Sequence, residues 1–299
     1  MSIPRISAFP KCYLEDIAAG RMGLLEWIDM SVALEPDGLE LYSGWLDDTS
    51  AGALRRIRAR ADAHGLPLPM MCHSPDFTAP GSQAREAEID RQVEMIRVTA
   101  ALGGEYCRTL SGQRRPDLGV EKGVDLVVSC IERCLPEAER CGVRLVIENH
   151  YKDGSWRYPE FAQRMDVFLQ IVERIDSRWL GVQFDPSNSL VAGEDPLHLL
   201  AAVSDRVMTM HASDRYVIAG HSLDELAQAD GRAGYADILQ HGVTGEGAND
   251  YDAIFAMLQD AGFGGWISIE DGMHGMDEMR RSMDFLRRMR DRYFGADAP

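Results

Sequence analysis

The sequence is short of positive charge: 31 lysines and arginines face 48 aspartates and glutamates, a net charge of −17 with a pI near 4.9. Such a surface repels phosphate backbones and anionic headgroups, which argues against nucleic acid and membranes as partners. No stretch approaches the ~18 consecutive apolar residues that a membrane-spanning helix requires. The opening M-S-I-P-R-I-S has no charged-then-apolar leader, and the expected location is the cytoplasm. No C-x-x-C pair occurs among Cys12, Cys72, Cys107, Cys130, Cys134 and Cys141, so they read as reduced, mostly buried thiols. No G-x-G-x-x-G follows the first apolar run, which disfavours a doubly wound dinucleotide fold. No Gly/Ser- or Pro-rich linker separates two halves.

What is present is a core-forming composition, 45% hydrophobic over 299 residues. Eight short apolar runs alternate with amphipathic segments: Ile6–Phe9, Leu39–Tyr42, Leu68–Cys72, Tyr106–Leu110, Arg144–Ile147, Leu180–Phe184, Val207–Met210 and Trp266–Ile269. Helical spacing marks Ala84–Leu102, Val124–Cys141, Tyr251–Ala261 and Asp277–Phe294. Eight strand–helix units predict a single (β/α)8 barrel domain over residues 1–299. One connection is out of rhythm. From Ala212 to Asp250 no clear strand intervenes, and this long loop insertion is expected to be a lid or a subunit contact.

In a parallel barrel the C-terminal strand ends converge on one mouth. The second run brings Glu40 and Tyr42 there, the third His73, the fourth Arg108. The last four runs are more informative. V-R-L-V-I-E-N-H delivers Glu148 with His150 beyond it, L-G-V-Q-F-D-P delivers Asp185, V-M-T-M-H delivers His211, and G-W-I-S-I-E-D-G delivers Glu270. A lone strand-end acid usually pairs with a cation or caps the next helix. Three carboxylates and one imidazole in succession instead make an oxygen-rich site for one divalent cation, Mn²⁺ first, with Mg²⁺ and Co²⁺ suited as well.

The segments I-E-N-H, F-D-P-S-N, M-H-A-S-D, I-S-I-E-D-G and G-E-G-A-N-D-Y-D-A-I-F resemble the xylose isomerase-like superfamily of sugar isomerases and epimerases. The resemblance implies the same four ligands: Glu148, Asp185, His211 and Glu270. Ketose 3-epimerases of that superfamily carry a substrate-binding histidine three residues after the metal aspartate. Here that position is Asn188, a departure that counts against epimerisation of free ketoses. H-A-S-D-R-Y, H-G-V-T-G-E-G-A-N-D-Y-D-A-I-F and W-I-S-I-E-D-G-M-H-G-M are similar to the catalytic α subunits of bacterial C-glycoside deglycosidases. That resemblance implies β-elimination from a 3-oxo-C-glycoside, with a histidine removing the C2 proton and a small β subunit as partner. His150 is then the base. In the epimerase alternative Glu148 and Glu270 are the acid/base pair.

His73, Arg108, Asn188 and Arg215 are the candidate substrate contacts, with Trp45 and Trp156 as stacking faces for a small carbohydrate or glycoside. Glu246 is expected to shape or cap the approach to the helix near Tyr251. His64, His198, His221, His241 and His274 read as surface residues. A homo-oligomer is the other assembly open to the chain. A remote alternative, an endonuclease-type barrel, would call for further histidine ligands and a basic face.

Overall fold

In a computed structural model, residues 2–222, 225, 238–270, 272 and 274–296 are described. The strands are β1 (Arg5–Ala8), β2 (Gly38–Tyr42), β3 (Met70–Cys72), β4 (Tyr106–Thr109), β5 (Arg144–Glu148), β6 (Leu180–Phe184), β7 (Val207–Ala212), β8 (Arg215–Val217), β9 (Leu239–His241) and β10 (Trp266–Ile269). β1 to β7 and β10 form a closed, all-parallel barrel, with β10 inserted between β7 and β1. The closing seam pairs Arg5 with Trp266 through to Ala8 with Ile269. Every apolar run of the sequence is a barrel strand, with ends displaced by no more than two residues.

The helices are α1 (Leu14–Ala18), α2 (Leu24–Ser31), α3 (Ala51–Ala63), α4 (Ser82–Leu102), α5 (Val120–Cys141), α6 (Met165–Arg174), α7 (Pro186–Val191), α8 (Pro196–Val203), α9 (Tyr251–Asp260) and α10 (Met276–Phe294). α5 shows why they form. Val124, Val127, Val128 and Ile131 fall on one buried stripe, and the helix ends where Gly142 adopts φ 67°. Among the described residues, no helix is long and apolar enough to cross a membrane. All six cysteines are free, four of them buried.

Strand alternation sorts the side chains into two shells. Outward residues such as Leu39, Leu41, Leu145, Ile147, Val182 and Ile267 join the large apolar cluster under the helices. Inside the barrel, Met70, Cys72, Tyr106, Val146 and Trp266 form a second apolar cluster. Beyond it, toward the C-terminal strand ends, the interior turns polar with Glu40, Arg108, Glu148, His211 and Ser268, all buried. The polar layer is the candidate site.

The stretch after β7 differs from expectation. β8 and β9 lie within it and pair as an antiparallel ribbon, Arg215 opposite His241 and Val217 opposite Leu239. Three-residue strands with so little apolar content leave no periodic signal to read. Residues 223, 224 and 226–237 of this insertion lie outside the described residues, and so does that part of the expected lid or contact. The rest of the segment is tied down by Asp214, whose carboxylate accepts the backbone N–H groups of Arg215, Gly245, Gly247 and Asn249. A Cβ at residue 247 would come within 2.2 Å of that carboxylate, which accounts for the second glycine of G-E-G. Glu246 between the glycines pairs with Arg281 at the surface, and the cap of α9 is Asp250, accepting from Ala253 N at 2.9 Å.

Candidate active site

Glu148 ends β5, His211 is the penultimate residue of β7, and Asp185 and Glu270 directly follow β6 and β10. Each offers one ligand atom, these atoms lie within 4.8 Å of one another, and all four residues are buried. Local sequence prepares Asp185. It is the N-cap of α7 with Pro186 at the first helical position, and its Oδ1 accepts from Asn188 N at 3.1 Å and Ser213 Oγ at 2.7 Å. Its Oδ2 is buried without a hydrogen-bond partner. An orphaned carboxylate oxygen beside two more carboxylates is costly unless a cation belongs there. The donor set therefore fits a divalent ion.

The imidazole of His211 is aimed by a partner behind it. Nδ1 lies 3.2 Å from Glu148 Oε1 and 3.7 Å from Glu270 Oε2, on the ligand side, while Nε2 is 2.7 Å from Glu40 Oε1. Glu40 also accepts from Cys72 Sγ at 2.7 Å and from Ser268 Oγ, which in turn meets Ser7 Oγ. A carboxylate on the far nitrogen fixes the tautomer and orientation of a ligating histidine and raises its basicity.

The two glutamates are pinned from outside the ligand group. Arg108 Nη1 donates to Glu148 Oε2 at 2.6 Å, and Lys11 Nζ donates to Glu270 Oε1 at 2.9 Å. Burial alone would raise the pKa of Glu148, but Arg108 and His211 outweigh it and lower the carboxyl to about 2. Burial likewise opposes ionisation of Glu270, and Lys11 with His211 overcomes it, well below the usual carboxylate range.

Residues 29–289 match the sequence pattern of the xylose isomerase-like TIM barrels. The chain belongs to that family. Among curated relatives, inosose dehydratase from Geobacillus thermodenitrificans is 24% identical over 172 residues, 56% of this chain and 55% of that protein, so about half of its length is spanned. A probable endonuclease 4 from Methanoculleus marisnigri is 26% identical over 228 residues, 69% of this chain and 79% of the relative. Among solved structures, the IolI protein with a bound zinc atom superposes with a TM-score of 0.73 at 15% identity, covering 97% of this chain and 98% of that one, a likeness of fold.

Around the ligands of this family member, the remaining sequence candidates are placed unequally. His150 lines a cleft of about 690 Å³ together with Phe9, Lys11, Tyr42, Arg108 and Glu270. Its ring stacks on Tyr151 at 5.0 Å, and its Nδ1 is buried with no partner. Burial lowers its pKa to about 4, so the ring is neutral. Arg108 and Asn188 both hydrogen-bond to Glu148, and Arg108 also lines the cleft: besides Glu148, Arg108 donates to His73 O and Ser74 Oγ, and Asn188 Nδ2 reaches Glu148 Oε1 at 3.2 Å. His73 faces a neighbouring polar pocket, with Nδ1 2.9 Å from Ser43 Oγ. Arg215 is buried, over the Tyr151 ring and 3.0 Å from His241 Nε2.

His241 is thereby half-buried in the cleft wall rather than on the surface, whereas His64, His198 and His221 pair with surface acids. Trp45 and Trp156 are also not open stacking faces. Trp45 packs into the core against Phe9 at 5.1 Å, and Trp156 is buried, so Phe9, Tyr42 and Tyr151 supply the aromatic lining instead. Sequence reasoning overlooked Lys11, whose only signal was its place just after the first strand, and gave Glu40 no role.

It also overlooked Glu160, which fixes the loop beginning at His150. Its Oε1 accepts from Ser111 N at 2.7 Å and Ser111 Oγ at 2.5 Å, and its N–H donates to Tyr151 O at 2.9 Å. Oε2 is buried without a partner. Burial and the nearby Glu148 raise the pKa to about 8, against the hydrogen bonds from Ser111 and the charge of Arg108. The folded protein thus keeps a proton that an unfolded glutamate, near pH 4.5, has already lost. The stability it contributes is complete below about pH 4.5 and is lost as pH rises toward 8, on the order of 3 kcal/mol by pH 7. Glu160→Gln is expected to match wild type at pH 4.5 and exceed it at pH 7.5 in urea unfolding of the metal-free proteins. A stability difference that does not change with pH would show Glu160 to be ionised in the fold.

Proposed function

We propose that the protein is a divalent-metal-dependent enzyme that deprotonates the carbon next to a sugar ketone and then eliminates the group beyond it, with a 3-oxo-C-glycoside as the substrate class. The observation that carries this reading is how the two glutamates are bound. In an epimerase driven by Glu148 and Glu270, each needs a basic oxygen turned to the substrate. Here the oxygen of each facing the ligand group is matched by a second oxygen held by a cation, the buried Arg108 on one and the half-buried Lys11 on the other. His150 is neutral, lines the same cleft and has an unengaged ring nitrogen.

A divalent cation held by Glu148, Asp185, His211 and Glu270 would supply Lewis-acid polarisation of the ketone. Mn²⁺ is the ion we assign, and Mg²⁺ or Co²⁺ suits the donors as well. The zinc of the IolI neighbour speaks for a divalent ion at such a site, not for manganese. His150 takes the C2 proton, the C–H electron pair forms the C1=C2 bond, and the C1–aglycone bond breaks with its pair leaving on the aglycone, which takes up a proton. The relationship to an inosose dehydratase supports elimination as chemistry available to this barrel. The endonuclease alternative gains a relative but not a site: the ligand group contains a single histidine, and the charge is −17. A small β subunit, or a second copy of the chain, completes the assembly we expect.

The test is solvent deuterium incorporation, with Mn²⁺ present, into a panel of 3-oxo-glycosides and free ketoses. Exchange and alkene formation are expected with the 3-oxo-glycosides. Exchange confined to free ketoses, returning an epimer, would overturn the elimination reading.

A further inference from the structure

The chain contains only three lysines, Lys11, Lys122 and Lys152, among 31 lysines and arginines. Two of them, Lys11 and Lys152, line the cleft that also holds His150 and Glu270. The buried or half-buried cations elsewhere are arginines held as forks, such as Arg115 on Asp76 and Arg206 on three backbone carbonyls. Lysine differs in being a compact charge with three rotatable donors on a flexible stem, suited to a partner that comes and goes.

Lys11 stands on a short turn directly after β1, and its side chain is 15% exposed, on the cleft side of Glu270. A divalent ion would share the Glu270 carboxylate, and the Lys11 ammonium 2.9 Å from it, like the Arg108 guanidinium 2.6 Å from Glu148, would repel that ion; what sets Lys11 apart is its partial exposure to the cleft. Arg108 shows the supporting arrangement used here, buried at 5% exposure and tied to His73 O and Ser74 Oγ as well as to Glu148. Lys11 instead reaches the cleft from the strand adjacent to β10, across from the loop that carries His150.

We propose that Lys11 touches the substrate, its ammonium shared between Glu270 Oε1 and an oxygen of the bound sugar, and so holds the sugar in place for His150. This rests on the reading of the cleft as a sugar-ketone site. It assigns Lys11 binding and orientation, with no proton transferred by it. Its cost to metal binding is offset by the charge-assisted hydrogen bond to the ligand.

The test uses the Mn²⁺-loaded protein and methyl 3-oxo-glucoside, with binding followed by calorimetry in a His150→Ala background that suppresses turnover. Lys11→Met should weaken ligand binding about 10- to 100-fold, the range for a hydrogen bond to a charged group. Its Mn²⁺ affinity, from metal titration and elemental analysis, should stay level or rise. Lys11→Arg, which keeps the charge and guards against misfolding, should recover part of the ligand affinity. Equal ligand affinity in Lys11→Met, or a joint fall of Mn²⁺ and ligand binding, overturns the proposal and makes Lys11 a counter-ion of Glu270. Continued deuterium exchange in the His150→Ala background with binding lost in Lys11→Met supports Lys11 while overturning His150 as base. A wild-type protein that binds and exchanges no ketone overturns the sugar-ketone reading, and this inference with it.

Discussion

Asp185→Asn is expected to fold normally and to hold almost no metal. The substitution is isosteric, and the Oδ1 bonds to Asn188 N and Ser213 Oγ can persist through the amide oxygen. Oδ2 makes no hydrogen bond, so none is broken there. What disappears is one of three carboxylate charges in a group whose ligand atoms lie within 4.8 Å of one another. Losing an outer partner of a ligand typically costs ~10- to 100-fold in metal affinity, and a direct ligand should cost more. Elemental analysis after dialysis against limiting Mn²⁺, with circular dichroism as the check on folding, measures it. Metal content equal to wild type would remove Asp185 from the ligand set.

His150→Ala should behave in the opposite way, keeping its metal and losing turnover. His150 is not in the ligand group, and its backbone lies in the loop anchored through Glu160 to Ser111. Removing the imidazole takes away the proposed base but none of the four proposed ligands. General-base contributions are typically ~10²–10⁴-fold, and deuterium incorporation into a 3-oxo-glycoside should fall by that order. Glu148→Gln and Glu270→Gln, by contrast, should fail through metal loss and recover in part at high Mn²⁺. Normal exchange in His150→Ala, with both glutamine variants inactive when fully loaded, would decide for the two-glutamate mechanism of an epimerase.

Both experiments depend on residues that differ in how visible they were. The eight strands could be read because each is a compact apolar run bounded by polar segments, and the four candidate ligands because each lies at the end of such a run, at a position that burial would otherwise penalise. The helix stripe of α5 and the Asp-Pro start of α7 are equally local signals. The ribbon of β8 and β9 carried none, since three-residue strands paired across an insertion depend on contacts distant in sequence.

The barrel, the order of its units and the four side chains brought to one mouth were therefore legible along the chain, because strand periodicity and strand-end position are properties of neighbouring residues. The partners of those side chains came only with the closed fold: Glu40 beside His211, Arg108 beside Glu148 and Lys11 beside Glu270, with Ser111 beside the loop-fixing Glu160. The tertiary structure also showed Arg108 and Asn188 hydrogen-bonded to Glu148, and placed Trp45 in the core. Each of these pairings joins residues at least 40 positions apart, through charges and hydrogen bonds that exist only after the barrel closes. Hydrophobic pattern is written along the chain, whereas the partner of a buried charge is set by the geometry of the closed sheet.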